Sequence, residues 1–476
     1  MFATINSSIP DPAGAVRRIS PWLTFALLAA LAAFALAALS PAILNDSDTY
    51  WQILSGNWML DHGAILRADP FSYTAAGQAV STQSWLAEVV TAMAFRGAGW
   101  AGVHALFGAA AGLTAFVVAR FMRRRIDWAP ALMATVLGLA CVTGSLLARP
   151  HMLALPLLAL WTAALVEARE ENRAPVWWIL PVIPLWANLH GSFAFGLALA
   201  MALGAEAVIE SPARRRVALG WSAFVAAAAL SAMLTPDGWH GLLFPFHLTA
   251  MQGLAHIGEW QASDFAHPSP LEYALLGTLF ALALGKVRVR LVRLLILLGL
   301  VHLALSHARH QMLLGVAGTL LLAPALAVAW PAKNERVPPL PAIAAALLLM
   351  LGFGARLTIP APRGPDAISP QAVLAHVPGT VRQLPVLNDY AFGGYLIWKG
   401  VKPFIDSRAD LYGDGFLSNY AAITEPDKDA LASSLAYYHV RWTIFRAGAP
   451  VVKLLDAMPG WHRIYGDNVA VVHVRN

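Results

Sequence analysis

The sequence predicts an α-helical polytopic membrane protein of about eleven transmembrane helices, followed by a small C-terminal α/β domain outside the membrane. Three observations carry that prediction. Only 13% of the 476 residues are charged and 58% are hydrophobic, about half the charge of an ordinary soluble domain, and mean hydropathy is +0.59. Apolar stretches of roughly 20 residues, the length that carries a helix across a bilayer, recur as far as residue 357. Lys and Arg are divided unequally between alternate loops, as helix orientation requires. The same composition excludes disorder. The single cysteine, Cys141, excludes a disulfide framework and a Cys-based zinc site.

The apolar stretches lie at 22–44, 98–119, 129–148, 152–168, 175–189, 192–210, 217–234, 271–285, 290–306, 311–330 and 340–357. Segment 84–96 is too short to span and carries Glu88, so it reads as an interfacial helix. Arg17 and Arg18 precede a first stretch far longer than a signal-peptide core, which is therefore a retained helix. One set of loops holds seventeen basic residues, among them Arg123–Arg125, Arg214–Arg216 and Lys286; the alternate set holds only Arg67, Arg96, Arg149 and Arg309. This places the first set and the N-terminus in the cytoplasm and the C-terminal end outside, in the periplasm of a bacterial inner-membrane protein. The net charge of +6 resides in those orienting loops. The nearly neutral tail offers no basic surface for nucleic acid.

The chain divides into a membrane region, 1–357, with outer loops at 45–97 and 235–270, and a tail, 358–476, beginning at the linker Pro360-Ala361-Pro362-Arg363-Gly364-Pro365. In the tail, 385–388, 403–406, 442–446 and 469–474 read as strands and 369–376, 427–438 and 451–458 as helices, the last ended by Pro459-Gly460.

Polar groups collect in the outer loops and at outer helix ends, where nine of the 15 histidines lie. Asp46 and Asp48 follow the first span directly. Two carboxylates there suit a general base for a hydroxyl, or a divalent cation such as Mg or Mn; N-capping of the next helix accounts for one of them. Asp69 opens a turn, Asp-Pro-Phe-Ser-Tyr-Thr, where a capping role is the simpler reading. Arg149-Pro150-His151 leaves almost no loop between two spans, so Arg149 either snorkels to the interface or binds phosphate. Asn188 and His190 lie at a similar depth, as helix bridges or as site residues. Arg309 and His310, with Arg149, His151 and His190, would suit a lipid-linked phosphate if they converge. Asp406-Ser407-Arg408-Ala409-Asp410 reads as a local salt-bridge set, with a substrate contact as the alternative.

Together these segments resemble a known pattern. Asp46-x-Asp48-x-x-Trp51, Gly56, Asp69–Thr74 and Trp85-Leu86 are similar to bacterial GT-C-type glycosyltransferases related to the protein mannosyltransferase (family 39) group. Arg149-Pro150-His151, Trp186–Gly191, Glu259-Trp260, Arg309-His310, Asn388-Asp389-Tyr390, Gly393–Leu396 and Asp406–Asp410 fit the same pattern. At 235–238 the chain has Thr-Pro-Asp-Gly where relatives often have Asn-Pro-x-Gly. The resemblance implies a GT-C-like fold, an active site on the non-cytoplasmic face and a polyprenyl-phosphate sugar donor. It also implies a catalytic aspartate in the first outer loop, matched by Asp48 or Asp46.

The expectation is a hexosyl- or pentosyltransferase acting on a glycan, lipid or protein acceptor at the membrane lipid interface. Asp48, with Asp46 as second choice, activates the acceptor, and Arg149, His190, Arg309 and His310 hold the donor phosphate. His151, Asn188, Asp69 and Glu259 are further candidates. Two rival readings are a polysaccharide ligase or polymerase with a lipid-diphosphate donor, and a non-enzymatic transporter or assembly protein. Span interiors almost free of ionisable groups count against transport.

Overall fold

The computed structural model describes residues 19–333, 336–361, 367–425 and 427–476, with the backbone alone for Ala255 and His256. Arg17, Arg18 and the linker residues from Pro362 to Pro365 lie outside them. Each of the eleven apolar stretches is helical. In chain order the membrane region runs α1 (Pro21–Leu39), α2 (Asp48–His62), α3 (Trp85–Arg123), α4 (Trp128–Ala140) and α5 (Pro150–Glu170). It continues with α6 (Val182–Leu189), α7 (Phe193–Glu210), α8 (Arg214–Ala232), α9 (Trp239–Thr249), α10 (Pro270–Ala283) and α11 (Leu291–Ser306). The last two are α12 (Ala308–Ala329) and α13 (Leu340–Thr358). Among the described residues seven helices are long and apolar enough to cross a membrane, and three further apolar helices are shorter. Polar α2 and the half-exposed α9 lie in the two outer loops.

Local chemistry explains several boundaries. Pro at the first helical position starts α1, α5 and α10, where a missing N–H costs nothing. Asp127 caps α4 and Ser269 caps α10. α3 breaks at Ala98 and Gly99, whose backbones leave the helical region. The break separates the interfacial segment from the span that follows, as the sequence suggests.

One face of the bundle is rich in arginine. There short antiparallel bridges join Ile19 to Val337 and Ile126 to Pro331. Span interiors are less free of charge than the sequence reading holds. Glu206 of α7 is fully buried and takes Arg293 of α11 at 2.8 Å and Arg169 of α5 at 3.4 Å. Each charge is neutralised within the bundle, which is how ions persist at such depth.

The opposite face carries the tail. Its helices are α14 (Gln371–Ala375), α15 (Gly379–Arg382), α16 (Gly393–Trp398), α17 (Ala409–Thr424), α18 (Lys428–Tyr437) and α19 (Pro450–Asp456). Its strands are β1 (Val386–Asn388), β2 (Trp442–Arg446), β3 (Trp461–Gly466) and β4 (Ala470–Arg475), in the order β1-β2-β4-β3 with only β1 and β2 parallel. The expected strand at 403–406 is not one. Its amides go to a side chain instead: Asn388 Oδ1 accepts from Phe404 N at 2.8 Å, and Asn388 Nδ2 donates to the Ile405 carbonyl at 2.9 Å. Thr74 Oγ1 donates to the Phe404 carbonyl at 2.5 Å. The segment is extended and serves as the seam between tail and outer loop.

That seam is extensive. Tyr50 of α2 is buried among Trp100, Tyr395 and Trp398, and its hydroxyl meets Ser369 Oγ at 2.6 Å. Arg408 pairs with Asp406 at 2.6 Å and with Asp69 of the outer loop at 2.7 Å, all three buried. Sheet, α2 and outer loop pack as one body.

Candidate active site

α1 ends in a short turn, Pro41–Leu44, and the chain then reverses into α2. Asp46 Oδ1 accepts the Asp48 N–H at 2.8 Å, so Asp46 is the residue that caps α2. Asp48 opens the helix with its carboxylate free for another task. The loop before α5 is clipped to the same place: Ala148 N donates to the Ile43 carbonyl at 2.7 Å and Thr49 Oγ1 to the Ala148 carbonyl at 3.2 Å. Arg149 therefore emerges beside both aspartates. Its guanidinium binds Asp46, reaches Asp48 at 3.0 Å and takes Glu259 at 2.6 Å. Glu259 arrives on a turn held by the Ala308 N–H, which donates to the Gln261 carbonyl at 2.9 Å. It joins Arg149 to Arg309, 3.1 Å from its other oxygen, and Arg309 lies over the Trp260 ring at 4.2 Å.

This chain of charges borders a cavity of about 350 Å³ between α2, α3, α5, α7, α9, α12 and the start of α17. Asp48, Arg149, His151, His190, Glu259, Arg309 and His310, predicted from separate loops, all line it. Arg149 also lines a larger cavity of about 970 Å³ toward the tail, together with Asp46. Three predicted residues do not line the smaller cavity: Asp46, which lines the larger one, Asn188 and Asp69. Asn188 bridges elements, accepting from Trp85 Nε1 at 2.5 Å and donating to the Leu234 carbonyl at 2.8 Å. Asp69 accepts from the Ser72 N–H and hydroxyl and anchors Arg408. Asp237, at the departure from the family pattern, ties Arg67 to Thr82.

Electrostatics assigns roles. Burial pushes the Asp48 carboxyl up to about 7 against the pull of Arg149, with Asp46 adding to the rise and a hydrogen bond to Ser407 opposing it. Burial works against the ionised Glu259 too, but Arg149 and Arg309 outweigh it and hold that carboxyl below its usual range. Burial, with His151 and the two arginines nearby, pushes His190 well below the usual imidazole range. The expected cation at 190 is thus a neutral ring, held to Ser192 Oγ at 2.8 Å. Arg149 is likewise not a free phosphate ligand, because three carboxylates occupy its fork. Arg309 spends one N–H on Glu259 and is the better anion donor.

The two aspartates do not fit a divalent-cation site in this arrangement. Arg149 already stands between them as the compensating charge, and among the described residues no group of three or more His, Cys, Asp or Glu side chains is disposed to hold a metal ion. Sequence reasoning did not place Gln52, Gln83, Glu88 or Trp260 in a site and gave Asp410 only as part of a salt-bridge set or a substrate contact; all five line the cavity. Part of the signal was present: positions 48, 52 and 56 recur every four residues along one face of α2.

No family model matches the chain, and no curated protein matches it by sequence. Among solved structures it is similar to the archaeal oligosaccharyltransferase AglB from Archaeoglobus fulgidus, in complex with an inhibitory peptide and a dolichol-phosphate. The match has a TM-score of 0.54 at 13% identity and covers 90% of this chain and 69% of that one. The chain shares that fold, and is itself a polytopic helical membrane protein with a small C-terminal domain.

Proposed function

We propose that the chain is a membrane glycosyltransferase of GT-C type that moves a sugar from a polyprenyl-phosphate carrier to an acceptor hydroxyl. The observation that carries this reading is a carboxylate base and an anion-binding guanidinium on one cavity at a helix-end face. Asp48 is held by Arg149, and Arg309 is held over Trp260. The dolichol-phosphate bound by the oligosaccharyltransferase neighbour supports a polyprenyl-phosphate carrier.

In this reading the acceptor oxygen bonds to the anomeric carbon as the bond from that carbon to the phosphate oxygen breaks. The acceptor proton passes to Asp48, whose raised pKa suits a base at neutral pH. The released phosphate charge is met by Arg309 and His310. Asp46 and Glu259 position Arg149 and so Asp48. The site face is the periplasmic side of a bacterial inner membrane, and the acceptor is a glycan, lipid or protein.

The test is transfer by the purified protein in nanodiscs, using radiolabelled sugars on decaprenyl phosphate. Asp48→Asn is expected to lower kcat by at least about 100-fold, and Asp46→Asn and Arg309→Ala by roughly 10-fold or more. Unchanged rates in both aspartate variants overturn the assignment. Full activity of both with decaprenyl diphosphate donors favours the ligase reading.

A further inference from the structure

The smaller cavity has two unlike sides. Two of its cationic groups are spent on protein carboxylates: Arg149 on Asp46, Asp48 and Glu259, and Arg408 on Asp69 and Asp406. The wall made by the start of α3 and the start of α17 carries Gln83, Glu88 and Asp410. Glu88 is only 8% exposed, and among the described residues its carboxyl makes no hydrogen bond or ion pair, its amide being bonded to the Ser84 carbonyl. It lies within electrostatic reach of Arg408 and, more weakly, of Asp410. Gln83, 9% exposed, donates its Nε2 to the Ala187 carbonyl at 3.2 Å, which fixes the amide and leaves its buried Oε1 without a partner. These side chains line the same cavity as Asp48 and Arg309.

Glu88 is placed with care. A Cβ on Gly56 of α2 would run into the Glu88 carbonyl, so the two helices touch there and the first turn of α3 cannot drift. Asp410 follows Arg408, which is locked to the outer loop. Burial lifts the Asp410 carboxyl above its usual range, against its own and the Leu411 N–H groups and the nearby Arg408. A buried acceptor without a partner is costly, and Gln83 Oε1 with the two carboxyls beside it is complementary to a ligand that brings donors. A sugar ring, with its adjacent hydroxyl or amino groups, is such a ligand.

We infer that Gln83, Glu88 and Asp410 form the sugar-reading wall of the cavity, accepting hydrogen bonds from the ring while Arg309 holds the phosphate. The inference rests on the transferase reading and adds specificity-determining residues to it. The ring could belong to the donor or to a glycan acceptor, and the chemistry is shared.

The experiment measures binding to the full-length protein in nanodiscs. The probes are bare decaprenyl phosphate, decaprenyl phosphate linked to glucose, galactose, mannose or arabinose, and the methyl glycosides of those sugars. The wild type is expected to prefer at least one sugar-bearing probe, and Glu88→Gln and Asp410→Asn each to cut that preference at least tenfold. Loss confined to the lipid-linked sugars assigns the wall to the donor, and loss confined to the glycosides assigns it to the acceptor. A preference that survives both substitutions overturns the inference, as does a wild type that holds bare decaprenyl phosphate but prefers no sugar. In that last case the transferase reading stands. A wild type that binds no probe at all overturns both.

Discussion

Arg149 is the hub of the site at the level of single side chains. It joins Asp46, Asp48 and Glu259, so removing it leaves three buried or half-buried carboxylates facing one another. The sign of its effect on Asp48 follows. The guanidinium lowers a carboxyl that burial has raised to about 7, so a neutral residue at 149 lets it rise further. A base must be ionised to accept a proton; the rate therefore climbs with pH through the Asp48 value and is lost below it. We expect kcat/KM of the wild type to rise tenfold per pH unit below about 7, and Arg149→Gln to move that limb to higher pH with at least a 10-fold fall in the plateau. A pH–rate profile from pH 5 to 9 checks both. A limb that stays in place removes Asp48 from the role of base. These residues were legible one by one, since each is a polar group at the end of an apolar run. Their mutual neutralisation was not, because the partners lie far apart in sequence: Arg149 and Glu259 are 110 positions apart.

Helix α2 has to be delivered to one place by the elements around it. Its outer side rests on α16, where a Cβ on Gly394 would run into the Ser47 carbonyl, one residue before Asp48. Gly394→Ala should therefore push the Asp46–Asp48 turn away from Arg149 without unfolding the sheet. We expect at least a 10-fold loss of transfer with circular dichroism unchanged and the melting temperature lowered by a few degrees, about the effect of 1–2 kcal/mol. Wild-type activity in that variant would falsify the contact's importance. At this scale the bundle was readable because spans announce themselves by length and hydropathy, whereas the tail was harder. Trp461–Gly466 alternates too weakly to read as a strand, with a bulge between Arg463 and Tyr465. The segment at 403–406 has a strand's composition, but Asn388 takes its hydrogen bonds. Tertiary partners decided both, and no local pattern carries them.

The molecule as a whole is polarised, with arginine-rich loops at one face and the cavity, α9 and the tail at the other. Loop charge was readable as orientation from sequence, and it makes a prediction for the intact cell. In a Cys141→Ser background, Ser433→Cys in the tail should react with a membrane-impermeant maleimide on spheroplasts. Arg215→Cys should react only after permeabilisation. Both positions are exposed, so lack of labelling reports the barrier and not burial. The reverse pattern inverts the topology and moves the site to the cytoplasm. Less legible was how far the tail enters the site, since the apolar spans suggested a complete bundle with an appendage. The Arg408–Asp69 pair sets that right: it closes a loop of 339 positions. It also bears on when the protein becomes competent. A ribosome that has released every span has still to make residues 408–411, which supply one wall of the cavity, and β4, which completes the sheet behind them. A chain still being synthesised thus holds the described spans before the cavity has all its walls.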